Sequence, residues 1–230
     1  MKEVWIFGDS YSDKNYETNP KTFAWTHELE KHYNISNFSK KGTGPEWSLK
    51  LFHDMIHNDN VNKKNINLIF FISNGSRLDL NFFDLEDQCI ISTLLELDVT
   101  NKQISNKRKK YKKYIPFIKE VWKYYLVNES IQNTYVDKSI GMINCHAHLF
   151  NKVLIWPIFK YASPLLKLED NVTLVNIPLT LMDANSIMGY GEDTRINHIK
   201  EDNNHIMFEQ LSKWIDTSEK IDVTKFSNFV

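Results

Sequence analysis

The sequence predicts an α/β fold in which a five-stranded parallel sheet lies between layers of helices. Five short strand candidates, four of them apolar runs, alternate along the chain with stretches whose apolar residues recur at helical spacing. The strongest run, Leu68 to Ile72, is apolar at every position, as expected of a central parallel strand that is buried on both faces. With 230 residues, no internal repeat and no low-complexity linker, the chain is expected to form one domain, residues 1–230.

Each strand candidate leads into a turn, and all but the second are short apolar runs. In chain order the candidates are Val4 to Phe7, Asn34 to Ser39, Ile66 to Ile72, Val153 to Trp156 and Val172 to Val175.

Helical spacing predicts three connecting helices. The first, of about three turns, follows an Asn19-Pro20 cap, the second begins at Pro45, and the last ends near Ile215. The residues that set the spacing are Trp25, Leu29 and Tyr33 in the first helix, Trp47, Leu51 and Met55 in the second, and Asn204, Phe208, Leu211 and Ile215 in the last.

Residues from about 80 to 150 interrupt the alternation of strand and helix. Residues 106–114 are strongly basic, and residues 115–126 are apolar at mixed helical spacing. We therefore expect a helical insertion, of two or three helices, between strands three and four.

Composition argues against several classes of partner. The formal net charge of −1 gives no reason to expect a nucleic-acid or membrane-surface partner. Two cysteines, Cys89 and Cys145, cannot build a disulfide framework. Acidic Glu3 and a short apolar run do not make a signal peptide, and no apolar run approaches the roughly 20 residues that span a bilayer. The expected location is cytoplasmic, or wherever a partner protein carries the chain.

Polar residues and glycines follow the first three strands. Ser10 lies in the turn after strand one, Gly42 in the turn after strand two, and Asn74 in the turn after strand three. Because the carboxyl ends of parallel strands open onto one crevice, we expect these three residues to converge there.

These turns resemble the sequence blocks of the SGNH (GDSL) hydrolases, a family of serine esterases and lipases. The first block is Gly8-Asp9-Ser10, and the second is Gly42, five residues after the Asn37 that closes strand two. The third block is Gly-x-Asn-Asp in the family, of which this chain keeps only Asn74. The fourth is Asp-x-x-His ahead of a carboxy-terminal helix. The resemblance covers the length of the chain, although the smallest members of the family lack the insertion.

The resemblance implies a three-layer, flavodoxin-like hydrolase with no metal or organic cofactor. Ser10 would be the nucleophile, and the oxyanion hole would consist of the backbone N–H groups of Ser10 and Gly42 with the side chain of Asn74. Among the family's substrates, a small acyl group such as acetate on a carbohydrate is our first expectation. A protein that has kept the fold and lost turnover, such as a glycan-binding module, is the alternative.

The catalytic histidine has two candidates. Asp202 and His205 match Asp-x-x-His by letter, but the helical spacing places both within the last helix, where they would be surface neighbours. His198 lies in the loop just ahead of that helix, and Asp193 is the nearest carboxylate that could orient it, because Arg195 stands three residues before the histidine. We expect His198 with Asp193, and keep Asp202 with His205 as the alternative pair.

Three further patterns are better explained as solvated surface. His53 and His57 have the spacing of a zinc protease motif that lacks its glutamate. Cys145 to His148 could offer metal ligands, but the sequence has no second cluster at zinc spacing. The basic run Lys107 to Lys113 could bind phosphates or an acidic glycan, but in a nearly neutral protein a solvated helix face is the better explanation.

Overall fold

The computed structural model describes residues 1–14, 23–40, 43–57, 61–73, 116–117, 120, 129–158, 166–175, 199 and 201–226. At its centre is a five-stranded sheet, parallel throughout, in the order β2-β1-β3-β4-β5. The five predicted strands are all present. They are β1 Glu3–Phe7, β2 Asn34–Asn37, β3 Ile66–Ile72, β4 Lys152–Pro157 and β5 Val172–Leu174.

Within the described residues, four helices cover the two faces of this sheet. They are α1 Trp25–His32, α2 Pro45–Ile56, α3 Glu129–Cys145 and α4 Glu201–Thr217. Side chains that alternate along the strands pack against α1 and α4 on one face and against α2 and α3 on the other. The three-layer α/β/α prediction is therefore confirmed, with the strand order of flavodoxin-like folds.

The two apolar cores contain the largest buried side chains. The α1/α4 side is built mainly from Val4, Ile6, Trp25, Leu29, Ile69, Phe71, Trp156, Met207, Leu211 and Trp214. The α2/α3 side is built mainly from Trp5, Phe7, Phe52, Leu68, Phe70, Val136, Ile140, Ile143 and Ile155. Burying each such side chain stabilises the fold by about 1.5–3 kcal/mol.

Phe7 anchors the end of β1 in the second core. Its ring stacks on Phe70 and Phe38, with centroids 5.4 Å and 4.9 Å away, and meets the edge of Phe52 at 5.6 Å. The backbone is therefore held firmly one residue before Gly8, where the turn that contains Ser10 begins.

The start of α1 differs from the prediction. The helix begins at Trp25 and spans two turns rather than three, while Asn19 and Pro20 lie outside the described residues. Ala24, at the N-cap position, offers no side-chain cap. Instead the Trp25 N–H donates to Asn204 Oδ1 of α4 at 3.3 Å, so a tertiary contact defines the start of the helix.

The buried face of α2 also differs from the prediction by one residue. Ser48, Phe52 and Ile56 are buried, while Leu51 and Met55 of the predicted face are only partly buried. The difference results from contacts between α2 and the end of β1. Ser48 Oγ donates to the Gly8 carbonyl at 3.3 Å, and Phe52 meets Phe7. The predicted start at Pro45 is confirmed.

The region predicted as a helical insertion contains α3, which contacts α2 and a short 3₁₀ turn, Ala147–Leu149. Its other predicted helices fall largely on residues that the structure does not describe. Within the described ranges, no helix combines the length and the apolar character needed to cross a bilayer.

Candidate active site

The turn after β1 is a single helical turn capped by an aspartate. The Asp9 carbonyl accepts the N–H groups of Ser12 at 3.1 Å and Asp13 at 2.9 Å, and Asp9 Oδ1 accepts the Tyr11 N–H at 3.1 Å. Asp9 is thus the N-cap residue and Ser10 the first residue of the turn. Ser10 is 5% exposed and lies at the carboxyl edge of the sheet, where the sequence places it.

Gly8 allows this turn to lie close against the sheet. A Cβ atom added to Gly8 would lie 2.3 Å from Ser12 Oγ and 3.0 Å from Phe71 Cβ. Its carbonyl accepts the Lys40 N–H at 3.2 Å and the Ser48 hydroxyl at 3.3 Å. A side chain at this position would therefore push the Ser10 turn away from β3.

Asn37 connects the Ser10 turn to the end of β2. Its Nδ2 donates to the Ser12 carbonyl at 2.8 Å, and its Oδ1 accepts the Ser39 N–H at 2.9 Å. Ser12 Oγ also donates to Ser39 Oγ at 2.8 Å. This side of the turn is thus bonded to the segment that leads toward Gly42, which itself lies outside the described residues.

Asp9 connects the same turn to the end of β3. Asp9 Oδ2 accepts the hydroxyl hydrogen of Ser73 at an O–O distance of 2.9 Å. The sheet order reverses between β1 and β3, so the bond lies at the topological switch point, where open parallel sheets bind ligands. Asn74, the next residue in the sequence, lies outside the described residues.

Helix α4 runs from the carboxyl edge of the sheet to the amino edge. At 17 residues it is about 25 Å long. Lys2, just before β1, donates to the Ile215 carbonyl at 3.1 Å and pairs with Asp216 at 3.0 Å, so the helix ends at the amino edge. Partial burial raises the pKa of Asp216, but hydrogen bonds from Lys2 and Tyr33 outweigh it and hold that pKa below its usual value. The first turn of α4 therefore lies at the edge that contains Ser10.

The residue that follows His198 in the sequence is firmly placed. Ile199 is buried in the α1/α4 core, and its carbonyl accepts Nδ2 of the buried Asn204 at 3.1 Å. His198 and Asp193 themselves lie outside the described residues.

The alternative pair lies within α4, as its helical spacing predicts. Asp202 and His205 are both exposed. The His205 ring stacks on Phe23, with a centroid distance of 3.7 Å and an interplanar angle of 22°. This places the pair on the outer surface of the first turns of α4.

Among the described residues, no three His, Cys, Asp or Glu side chains are grouped so that they could hold a metal ion. His53 on α2 and His57 just after its end are both exposed, with 3.1 Å between their Nε2 atoms. Beside them a hydrogen bond from Lys50 holds the pKa of Asp54 below its usual value. Cys145 is exposed at the end of α3, and the basic run Lys107 to Lys113 lies outside the described residues.

Sequence reasoning named Asp9 and Asn37 only as parts of the first two blocks and assigned to neither a role in holding the turn in place. The sequence did contain a signal for this role, because each residue lies at the carboxyl end of a predicted strand, where the ends of neighbouring parallel strands come together. The cap on the Tyr11 N–H accounts for one carboxylate oxygen of Asp9, and the bond from Ser73 accounts for the other.

No model of a protein family matches this chain, and no curated protein matches it. Among solved structures, the chain is similar to a member of the lipolytic protein G-D-S-L family from Veillonella parvula DSM 2008. The two share 11% sequence identity over 94% of this chain and 98% of that chain, with a TM-score of 0.45. A similarity at this level of identity does not show which activity this chain has.

Proposed function

We propose that the protein is a serine esterase that cleaves a carboxylic ester through an acyl-serine intermediate. The observation that carries the proposal is the setting of Ser10. It is the first residue of a capped helical turn at the sheet's switch point, and hydrogen bonds tie that turn to the ends of both neighbouring strands. A rigidly held serine beside a ligand crevice is what nucleophilic catalysis requires.

In the proposed reaction, Ser10 Oγ attacks the ester carbonyl carbon while the imidazole of His198 accepts the hydroxyl proton. The carbonyl π electrons move onto oxygen, and the resulting oxyanion is held by the Ser10 and Gly42 N–H groups and the Asn74 amide. Collapse of this intermediate breaks the bond to the alcohol, which leaves with the proton from the imidazolium. Water then releases the acid by the same steps and restores the Ser10 hydroxyl.

The direction of α4 supports His198 as the base. Ile199 is fixed at the carboxyl edge of the sheet by Asn204, and His198 directly precedes it. His205, one turn into the helix, faces outward against Phe23. Asp193 is the proposed partner of His198, with a carboxylate that would hold the imidazole tautomer.

The proposed substrate is a small acyl ester, such as an acetyl group on a carbohydrate, as the family resemblance implies. A comparison of p-nitrophenyl acetate with longer p-nitrophenyl esters tests the acyl size, and acetate release from acetylated sugars tests the alcohol. We expect turnover to fall as the acyl chain lengthens. Equal or faster turnover of long-chain esters would contradict the small-acyl proposal.

A second candidate function is a glycan-binding module without turnover. Two departures from the family pattern favour it: only Asn74 remains of the third block, and Arg195 occupies the place of the acid before His198. Folded protein that neither hydrolyses p-nitrophenyl acetate nor reacts with a fluorophosphonate would support this candidate.

The direct test of the proposed function compares wild type with Ser10→Ala. We expect wild type to hydrolyse p-nitrophenyl acetate and the variant to lose that activity at unchanged stability. Ser139→Ala is the matched control, because Ser139 is another buried serine whose hydroxyl donates to the Tyr135 carbonyl within α3. Near-normal turnover in Ser10→Ala would contradict the proposal.

A further inference from the structure

We propose that Asp9 and Ser73 are a pair of positioning residues whose hydrogen bond fixes the Ser10 turn against the end of β3. The inference rests on the proposed function, because it concerns turnover by Ser10. It assigns to Asp9 a role beyond capping and to Ser73 a role that the family blocks do not contain.

The two oxygens of the Asp9 carboxylate bond two different parts of the chain. Oδ1 accepts the Tyr11 N–H at 3.1 Å, inside the turn, while Oδ2 accepts the hydroxyl of Ser73, just after β3, at 2.9 Å. Asp9 is 0% exposed and Ser73 is 2% exposed, so water does not compete for this bond. The carboxylate therefore joins the turn to the neighbouring strand.

Capping alone does not account for a buried carboxylate. Serine and asparagine cap helical turns about as well as aspartate, and neither brings a charge into the interior. Burying a carboxylate costs several kcal/mol unless its oxygens are hydrogen-bonded, and at Asp9 the second oxygen reaches β3. Because both partners are buried, this 2.9 Å hydrogen bond resists sliding of the turn along β3.

The bond is one residue away from two groups of the proposed machinery. Asp9 directly precedes Ser10, and Ser73 directly precedes Asn74 in the sequence. Oxyanion donors act at about 2.7–3.1 Å, and a misplacement of about 1 Å can cost about 10²-fold in rate. Loss of the bond should thus lower kcat while substrate binding changes little.

Two substitutions separate the hydrogen bond from the charge. Ser73→Ala removes the donor and leaves the Asp9 cap intact. Asp9→Asn keeps Oδ1 as the cap acceptor, and its amide nitrogen can donate to Ser73 Oγ, so the link persists without the charge. Ser139→Ala is the control for loss of a buried serine hydroxyl. Each variant is compared with wild type for kcat and KM on p-nitrophenyl acetate and for the rate of fluorophosphonate labelling, after urea unfolding has established its stability.

We expect Ser73→Ala to lose at least about tenfold in kcat and in labelling rate, with KM within about twofold of wild type. Asp9→Asn should keep most of the activity, and Ser139→Ala should match wild type. If Ser73→Ala does not fold, the test uses Asp9→Asn only. A tenfold loss of kcat in folded Asp9→Asn would then overturn the proposal.

Two other results would also overturn it. An active wild type with Ser73→Ala at the level of Ser139→Ala would remove the positioning role and leave the proposed function standing. A wild type that neither turns over nor labels would overturn the positioning role and the proposed function together.

Discussion

The Asn37 side chain bonds the Ser10 turn to the end of β2: its Nδ2 donates to the Ser12 carbonyl at 2.8 Å. The same side chain accepts the Ser39 N–H through Oδ1 at 2.9 Å. With the Asp9–Ser73 bond on the other side, the turn is held between the two strands that flank β1. The position of Ser10 thus depends on side chains from three strand ends.

Asn37→Asp isolates the donor half of this contact. An aspartate keeps the acceptor for the Ser39 N–H but cannot donate to the Ser12 carbonyl, so we expect about 1–3 kcal/mol of destabilisation and reduced turnover. Urea unfolding and p-nitrophenyl acetate hydrolysis measure the two effects. Asn62→Asp is the matched control, because exposed Asn62 uses only its acceptor, toward the Lys64 N–H. An equal effect at both positions would contradict a special role for Asn37.

Gly8→Ala should both destabilise the fold and impair the site. The added Cβ would meet Ser12 Oγ and Phe71 Cβ, and such overpacking costs about 1–3 kcal/mol. The control is Gly141→Ala in α3, where the new Cβ would lie 3.3 Å from the side-chain end of Leu166 and where alanine favours a helix. We expect a lower unfolding free energy for Gly8→Ala than for Gly141→Ala in thermal or urea unfolding. The reverse order would show that the turn does not need the glycine.

The proposed oxyanion donors predict a kinetic signature. Asn74→Ala should lower kcat by about 10²–10³, the cost of one lost donor, with little change in KM. Gly42→Val should do comparable harm by obstructing the approach of the substrate carbonyl. Steady-state kinetics on folded variants measures both effects. An Asn74→Ala protein that loses stability but keeps kcat would assign Asn74 to the turn rather than to the oxyanion.

The two candidate histidines predict opposite results. We expect His198→Ala to abolish turnover and fluorophosphonate labelling, and His205→Ala to keep both, because His205 lies on the outer surface of α4 against Phe23. Asp193→Asn and Asp202→Asn extend the comparison to the carboxylates. An inactive His205→Ala beside an active His198→Ala would show that the literal Asp-x-x-His motif supplies the base.

Much of the fold was predictable from local pattern. A continuous apolar run such as Leu68 to Ile72 identifies a strand buried on both faces, and the parallel sheet follows from the alternation with helices. The placement of Ser10 at a strand's carboxyl end follows from the same pattern. Asp202 and His205 lie in α4 as their spacing predicts.

What the sequence did not predict depends on contacts between distant segments. The start of α1 is determined by Asn204, which follows Trp25 by 179 positions, and no local cap signals it. The buried face of α2 is centred on Phe52 because that ring meets Phe7. The Asp9–Ser73 bond requires the register between β1 and β3, which side-chain pattern alone does not specify.

The central claim is that Ser10 is the nucleophile, and a covalent adduct tests it most directly. The folded protein would be treated with a fluorophosphonate, digested, and analysed by mass spectrometry to locate the added phosphonyl group. We predict a single adduct on the peptide that contains Ser10, absent from Ser10→Ala and retained in Ser139→Ala. An adduct at another residue, or equal labelling of Ser10→Ala, would contradict the claim.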